Sequence, residues 1–98
     1  MSTELTFTTV RDPSGSLVLG AAGEIDMSNA AVFAAALDEA RRAGDGFVLD
    51  LTRVEYLDSA GLAALFPHVD HLQLVAGPLL GPLLTVAGLA DVTTIHDR

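Results

Sequence analysis

The chain has 98 residues, about the length of one domain, and a domain of that size can bury a core without staples. It contains no cysteine, which removes disulfides, thiolate metal sites and cysteine nucleophiles and fits a reducing compartment such as the cytoplasm. Thirteen carboxylates against five basic residues, all arginine, give a net charge of −8. Phosphate backbones and anionic lipid are therefore repelled, and a basic protein surface is the favoured encounter.

The first ten residues, MSTELTFTTV, alternate and carry Glu4, unlike a signal peptide. Within them Leu5, Phe7 and Thr9 stand against polar neighbours, the pattern of a half-buried strand. RDPSGS is a turn by its Asp-Pro and Ser-Gly dipeptides, and LVLGAAG reads as a second strand, antiparallel to the first. In EIDMSNAAVFAAALDEARRAGDG, Ser28 or Asn29 can cap a helix whose inward face holds Val32, Phe33, Ala36, Leu37 and Ala40. Arg41 and Arg42 suit the dipole of its last turn, and Gly44 stops it.

FVLDL is a near-continuous apolar run, as in a central strand. A short helix follows from about Ser59 to Phe66, where Pro67 discourages continuation. HLQLVA is the next strand, a third helix lies within Leu79 to Ala87, and DVTTIH is an edge-like strand. Pro78 and Pro82 compete for the first position of that third helix. The order ββαβαβαβ over residues 1–98 is one α/β domain with a mixed sheet of about five strands and right-handed crossovers.

Nineteen uncharged residues, LQLVAGPLLGPLLTVAGLA, separate His71 from Asp91 and approach the length of a membrane span. Gly77-Pro78 and Gly81-Pro82 interrupt them at element boundaries, so the expectation is a strand plus a short helix on a core, without membrane insertion. Whether GPLLGPLL is buried or forms a binding patch is open.

Asp58-Ser59-Ala60-Gly61 sits where the central strand gives way to the second helix. One reading is a helix cap, with Asp58 or Ser59 accepting from an orphan amide for about 1 kcal/mol. The other is a hydroxyl held out for modification: phosphate is tolerated by the free amides of a helix N-terminus and would add about −1.5 to −2 charges beside Asp58. Gly61 either lets a neighbour approach closely or relaxes the entry turn. A serine hydrolase is disfavoured, since neither a G-x-S-x-G elbow nor a histidine placed as base is present. No glycine-rich phosphate loop occurs, His68 and His71 follow Pro67 at the onset of a strand in a way that does not suit a shared metal, and His96 reads as solvated. Neither a cofactor nor a metal is expected.

GEIDMSNA followed by FVLDLTRVEYLDSAGLAALF resembles the STAS domain, and in particular the free-standing anti-sigma factor antagonists. The resemblance implies helices mainly on one face of the sheet and a non-enzymatic regulator of sigma-factor-dependent transcription. Such a regulator binds an anti-sigma factor serine kinase, is switched off when that kinase phosphorylates the serine after the aspartate, and is restored by a phosphatase. Carried onto this chain, the acceptor is Ser59, and the partner-binding residues are Asp26, Asp58, Ser59, Gly61 and Leu62. Asp26 also reads as a residue preceding or capping the first helix. Asp50, a structural residue in the family pattern, needs hydrogen-bond partners in adjacent loops, and Glu24 reads as a solvated loop charge. Pro82 and the charge-free GPLLGPLL depart from the family pattern. They give weight to an alternative, an STAS subunit of a membrane transport complex that binds an ATPase or permease partner.

Overall fold

A computed structural model describes residues 3–97. The chain begins with an antiparallel pair, β1 (Thr6–Arg11) and β2 (Leu17–Ile25). Asp12 organises the turn between them: its Oδ1 accepts from the Ser14 hydroxyl at 2.6 Å and from the Ser14 and Ser16 amides at 3.0 Å each. Donors gathered on one oxygen favour the ionised form, and the Ser14 hydroxyl above all holds the Asp12 carboxyl below its ordinary range.

From β2 the chain crosses through α1 (Ala30–Arg42) to β3 (Phe47–Leu57), then through α2 (Ser59–Leu65) and a 3-10 segment (Phe66–His71) to β4 (Leu72–Ala76). A last crossover through α3 (Gly81–Val86) and a 3-10 turn (Leu89–Asp91) reaches β5 (Thr94–Asp97). The sheet order is β1-β2-β3-β4-β5, with β2 to β5 mutually parallel and β5 at an edge, as expected. Phe33 and Leu37 of α1, Leu65 of α2, Leu84 of α3 and Leu89 share one core with Ile25, Leu49, Leu51 and Leu74 of the sheet. The three helices thus cover one face of the sheet, and each fully buried leucine contributes about 1.5–3 kcal/mol.

Several expectations need correction. The buried stripe of α1 is Phe33, Leu37 and Ala40, while Val32 is 57% exposed and Ala36 only partly covered. Asn29 is the N-cap residue by position, yet its side chain does not bond into the helix. The helical path does not stop at Pro67: it tightens to a 3-10 segment in which Pro67 sits in the first turn, where its missing N–H costs nothing. In α3, Pro82 takes the early position and Pro78 lies in the preceding turn. The charge-free stretch is divided among β4, α3 and a 3-10 turn, and among the described residues no helix is long and apolar enough to cross a membrane.

β3 is much longer than the apolar run FVLDL. Its register against β2 slips twice, between Gly20 and Ala22 and between Gly23 and Glu24, each time with the extra residue on β3. An extra residue reverses which side chains face inward. Buried positions therefore run Phe47, Leu49, Leu51 with period two, and then Val54 and Leu57 three apart. The bulges carry β3 past the end of its pairing with β4 and bring Leu57 beneath the start of α2.

Candidate functional site

The carboxyl ends of β2 and β3 lie side by side, joined by the Asp58 amide donating to the Ile25 carbonyl at 3.2 Å. Ligands and partners of parallel α/β sheets are commonly met at such strand ends. Two connections leave here: the β2–α1 loop, Asp26 to Asn29, and the junction Asp58-Ser59 into α2.

Asp58 resolves the capping question. Its Oδ1 accepts from the Ala60 amide at 2.9 Å and the Gly61 amide at 3.1 Å, so Asp58, not Ser59, caps α2. Its second oxygen, Oδ2, accepts from the Met27 amide at 3.1 Å and so links the two connections. Relieved of capping, Ser59 is exposed at the first helical position, and among the described residues no hydrogen bond engages its hydroxyl.

The β2–α1 loop is organised by its own side chains. Asp26 Oδ1 accepts from the Ser28 hydroxyl and, at 2.8 Å, from the Ser28 amide. The Ser28 hydroxyl chiefly, with the amide second, holds the Asp26 carboxyl below its ordinary value. Asn29 Oδ1 accepts from the Asp26 amide and Asn29 Nδ2 donates to the Glu24 carbonyl, both at 2.9 Å. Glu24 is not a loop residue: it lies within β2, paired with Tyr56 of β3, and its carboxylate and amide tie the Thr3 backbone at 3.2 and 3.1 Å.

The remaining candidates face inward. Gly61 is buried, and a Cβ there would stand 2.4 Å from Leu57 Cδ1 and 2.9 Å from Ile25 Cγ2, so its role in the fold is close approach of α2 to the sheet. Leu62 is partly buried against the core. Asp50 finds donors within its own strand, accepting from the Thr52 hydroxyl at 2.6 Å and the Thr52 amide at 2.9 Å. The structure therefore brings Asp26, Asp58 and Ser59 together at the surface and sets Gly61 and Leu62 beneath them.

Two exposed apolar residues at this end of the sheet escaped the sequence reading: Met27, 81% exposed, and Tyr56, 51% exposed. For Met27 the available signal was an apolar residue between two polar ones in a turn-rich loop, whereas Tyr56 lies in β3. A groove of about 950 Å³ lies at the opposite ends of the strands, lined by Arg11, Asp45, Phe47, His71, Leu72 and Thr94, well away from Ser59. Among the described residues no group of three His, Asp or Glu side chains is placed to hold a metal.

A five-stranded mixed sheet with its helices on one face, and a second helix capped by an aspartate, define a small α/β domain with a SpoIIAA-like fold. The chain belongs to the STAS family: residues 8–94 match the family model described as "Mlab, STAS domain". It is similar to an anti-sigma factor antagonist from Mycobacterium paratuberculosis, with 27% identity, a TM-score of 0.83, and coverage of 95% of this chain and 86% of that one. The unphosphorylated form of the antagonist SpoIIAA matches with a TM-score of 0.71 at 16% identity over 95% of this chain and 88% of that one. A putative antagonist from Thermotoga maritima matches with a TM-score of 0.70 at 16% identity over 94% and 86%. The last two likenesses speak for the fold alone. No curated protein matches the chain.

Proposed function

We propose that this protein is a non-enzymatic anti-sigma factor antagonist of the cytoplasm. It binds an anti-sigma factor serine kinase, thereby regulates sigma-factor-dependent transcription, and is switched off by phosphorylation of Ser59. The observation that carries the reading is the exposed Ser59 hydroxyl, free of the capping duty that Asp58 performs. In the switching step the Ser59 oxygen attacks the γ-phosphorus of ATP held by the kinase. The bond to the bridging oxygen breaks, ADP leaves, and the hydroxyl proton passes to a base on the kinase. The product carries about −1.5 to −2 further charges beside Asp58 and Asp26, on a chain already at −8. A partner docked over this face then meets repulsion and a desolvation penalty while the core is untouched. Hydrolysis by a phosphatase restores docking.

Incubation with the cognate kinase and ATP should add one phosphate, located on Ser59 by mass spectrometry. Ser59→Ala should abolish it and bind constitutively, and Ser59→Asp should bind more weakly. Binding of Ser59→Asp at wild-type strength would refute the charge switch. A second reading, an STAS subunit of a membrane transport complex, is favoured by the exposed apolar side chains Leu79, Leu83 and Val86 around α3. Specific co-purification with an ATPase subunit in place of a kinase would select it.

A further inference from the structure

We propose that Met27 is the apolar anchor of the docking face and that Asp58 is the positioning residue that presents it, an inference that rests on the antagonist reading above. Scattered exposed apolar residues are ordinary on protein surfaces. Met27 differs because the backbone beneath it is pinned at four successive amides. The Asp26 amide donates to Asn29 Oδ1, that of Met27 to Asp58 Oδ2, that of Ser28 to Asp26 Oδ1, and that of Asn29 to the Asp26 carbonyl. The side chain held on this frame is 81% exposed. A loop fixed before its partner arrives loses little entropy on association, so the contact it displays is worth more. An unbranched thioether also adapts to the pocket that receives it.

The two oxygens of Asp58 do different work. Oδ1 caps α2 through Ala60 and Gly61, and Oδ2 reaches across to Met27. Met27 is thereby tied to the residue next to Ser59, so anchor and acceptor belong to one surface. The partner that fits is the anti-sigma factor kinase, carrying an apolar pocket for Met27 with basic groups beside it for Asp26, whose carboxylate stays ionised, on a chain of net charge −8.

Asp58→Asn separates the two roles, because the amide oxygen can still cap α2 while the amide nitrogen cannot accept from Met27. In the free variant, amide exchange followed by NMR should accelerate at Met27 at least about tenfold, with Ala60 and Gly61 still protected. Unchanged exchange at Met27 overturns the positioning role. Affinity is then measured by calorimetry against a purified anti-sigma factor kinase shown to phosphorylate Ser59. Met27→Ala should weaken binding about tenfold, the loss of a 1.4 kcal/mol contact, and leave the melting temperature unchanged. Asp58→Asn should also weaken it, and the double variant should be no weaker than Met27→Ala within about twofold. Wild-type affinity of Met27→Ala, or fully multiplicative losses in the double variant, would overturn the anchor. If no anti-sigma kinase phosphorylates Ser59, the antagonist reading fails and the anchor with it, whereas the exchange measurement still decides what Asp58 does to the loop.

Discussion

The buried imidazole of His68 lies with Nε2 3.2 Å from Oδ1 of Asp38, joining the 3-10 segment after α2 to the middle of α1. A carboxylate only accepts, so Nε2 is the donor. The ring also meets Phe47 edge-on, with centroids 6.2 Å apart, and Arg41 Nη1 donates to the Pro67 carbonyl at 3.3 Å. These contacts hold α1 against the chain leaving α2. The Asp38 side chain is 57% exposed, so the polar pair is screened and worth about 0–1 kcal/mol, whereas the ring is core. Asp38→Ala should therefore cost less than about 1 kcal/mol in urea unfolding, and His68→Ala about 2–4 kcal/mol, as for other large-to-small core changes. Among the described residues Nδ1 of His68 is buried without a partner. His68→Leu, which removes that polar atom and keeps most of the volume, should then be far milder than His68→Ala.

Gly61 gives a sharper case of competing terms. Alanine in its place gains about 1 kcal/mol of helix propensity. The new Cβ, however, would stand 2.4 Å from Leu57 Cδ1 and 2.9 Å from Ile25 Cγ2, both on side chains almost fully buried and with little room to turn. Overpacking costs about 1–3 kcal/mol and is relieved only by lifting α2 from the sheet. Gly61→Ala should lower unfolding stability by about 1 kcal/mol net. It should also loosen the Asp58 cap, seen as faster exchange of the Ala60 amide. A stabilised variant would show that α2 can shift at no cost.

The element order was legible because Phe33-Leu37-Ala40 and Phe47-Leu49-Leu51 follow undisturbed helix and strand periods, whereas the gathering of the helices on one face came from the resemblance to the STAS domain. β3 could not be read past Leu51 for a physical reason. Two bulges break the period-two rule, so Val54 and Leu57 are buried while Arg53, Glu55 and Tyr56 face water, a mixture that resembles a loop. Pairing specifies such bulges, and pairing is invisible in one chain's local pattern. Asp26, Asp58 and Ser59 were legible as a polar group between apolar elements, but not how Asp58 divides its oxygens. The need of Asp50 for donors was legible from its place in an apolar strand, but not that Thr52 two residues on supplies two of them. His68 was masked by Pro67, which suggested that the helical path had ended.

Asp26 carries a pH prediction. The Ser28 hydroxyl and amide favour its ionised form in the folded loop, so the folded value lies below the ordinary 3.8. The stabilisation is complete above the ordinary value and is lost as pH falls through the folded one. A carboxyl carbon titration should place Asp26 below 3.8, and Ser28 amide protection should decay over that same acidic range. Asp26→Asn, which keeps an acceptor for the Ser28 amide, should remove the pH dependence. A midpoint at or above the ordinary value would mean that the loop is open in solution.

The charge-free segment from Leu72 to Ala90 splits into two kinds of residue, and the split is measurable. Leu80 and Leu84 are buried, while Leu79, Leu83 and Val86 are 66%, 38% and 86% exposed. Leu84→Ala should cost about 2–5 kcal/mol. Val86→Lys, which leaves nothing in the core unfilled, should stay within about 0.5 kcal/mol of wild type. The two proposed functions then diverge at one surface. An antagonist docking through Met27 and Ser59 gains nothing from these side chains, so Val86→Lys combined with Leu83→Lys should bind an anti-sigma kinase at wild-type strength. A transport subunit gripping an ATPase through an apolar patch would lose its partner in the same double variant, because a lysine desolvated against an apolar surface has no compensating charge. Retained kinase binding in the double variant, alongside loss of it in Met27→Ala, would locate the working face at the carboxyl ends of β2 and β3 and leave the α3 patch outside it.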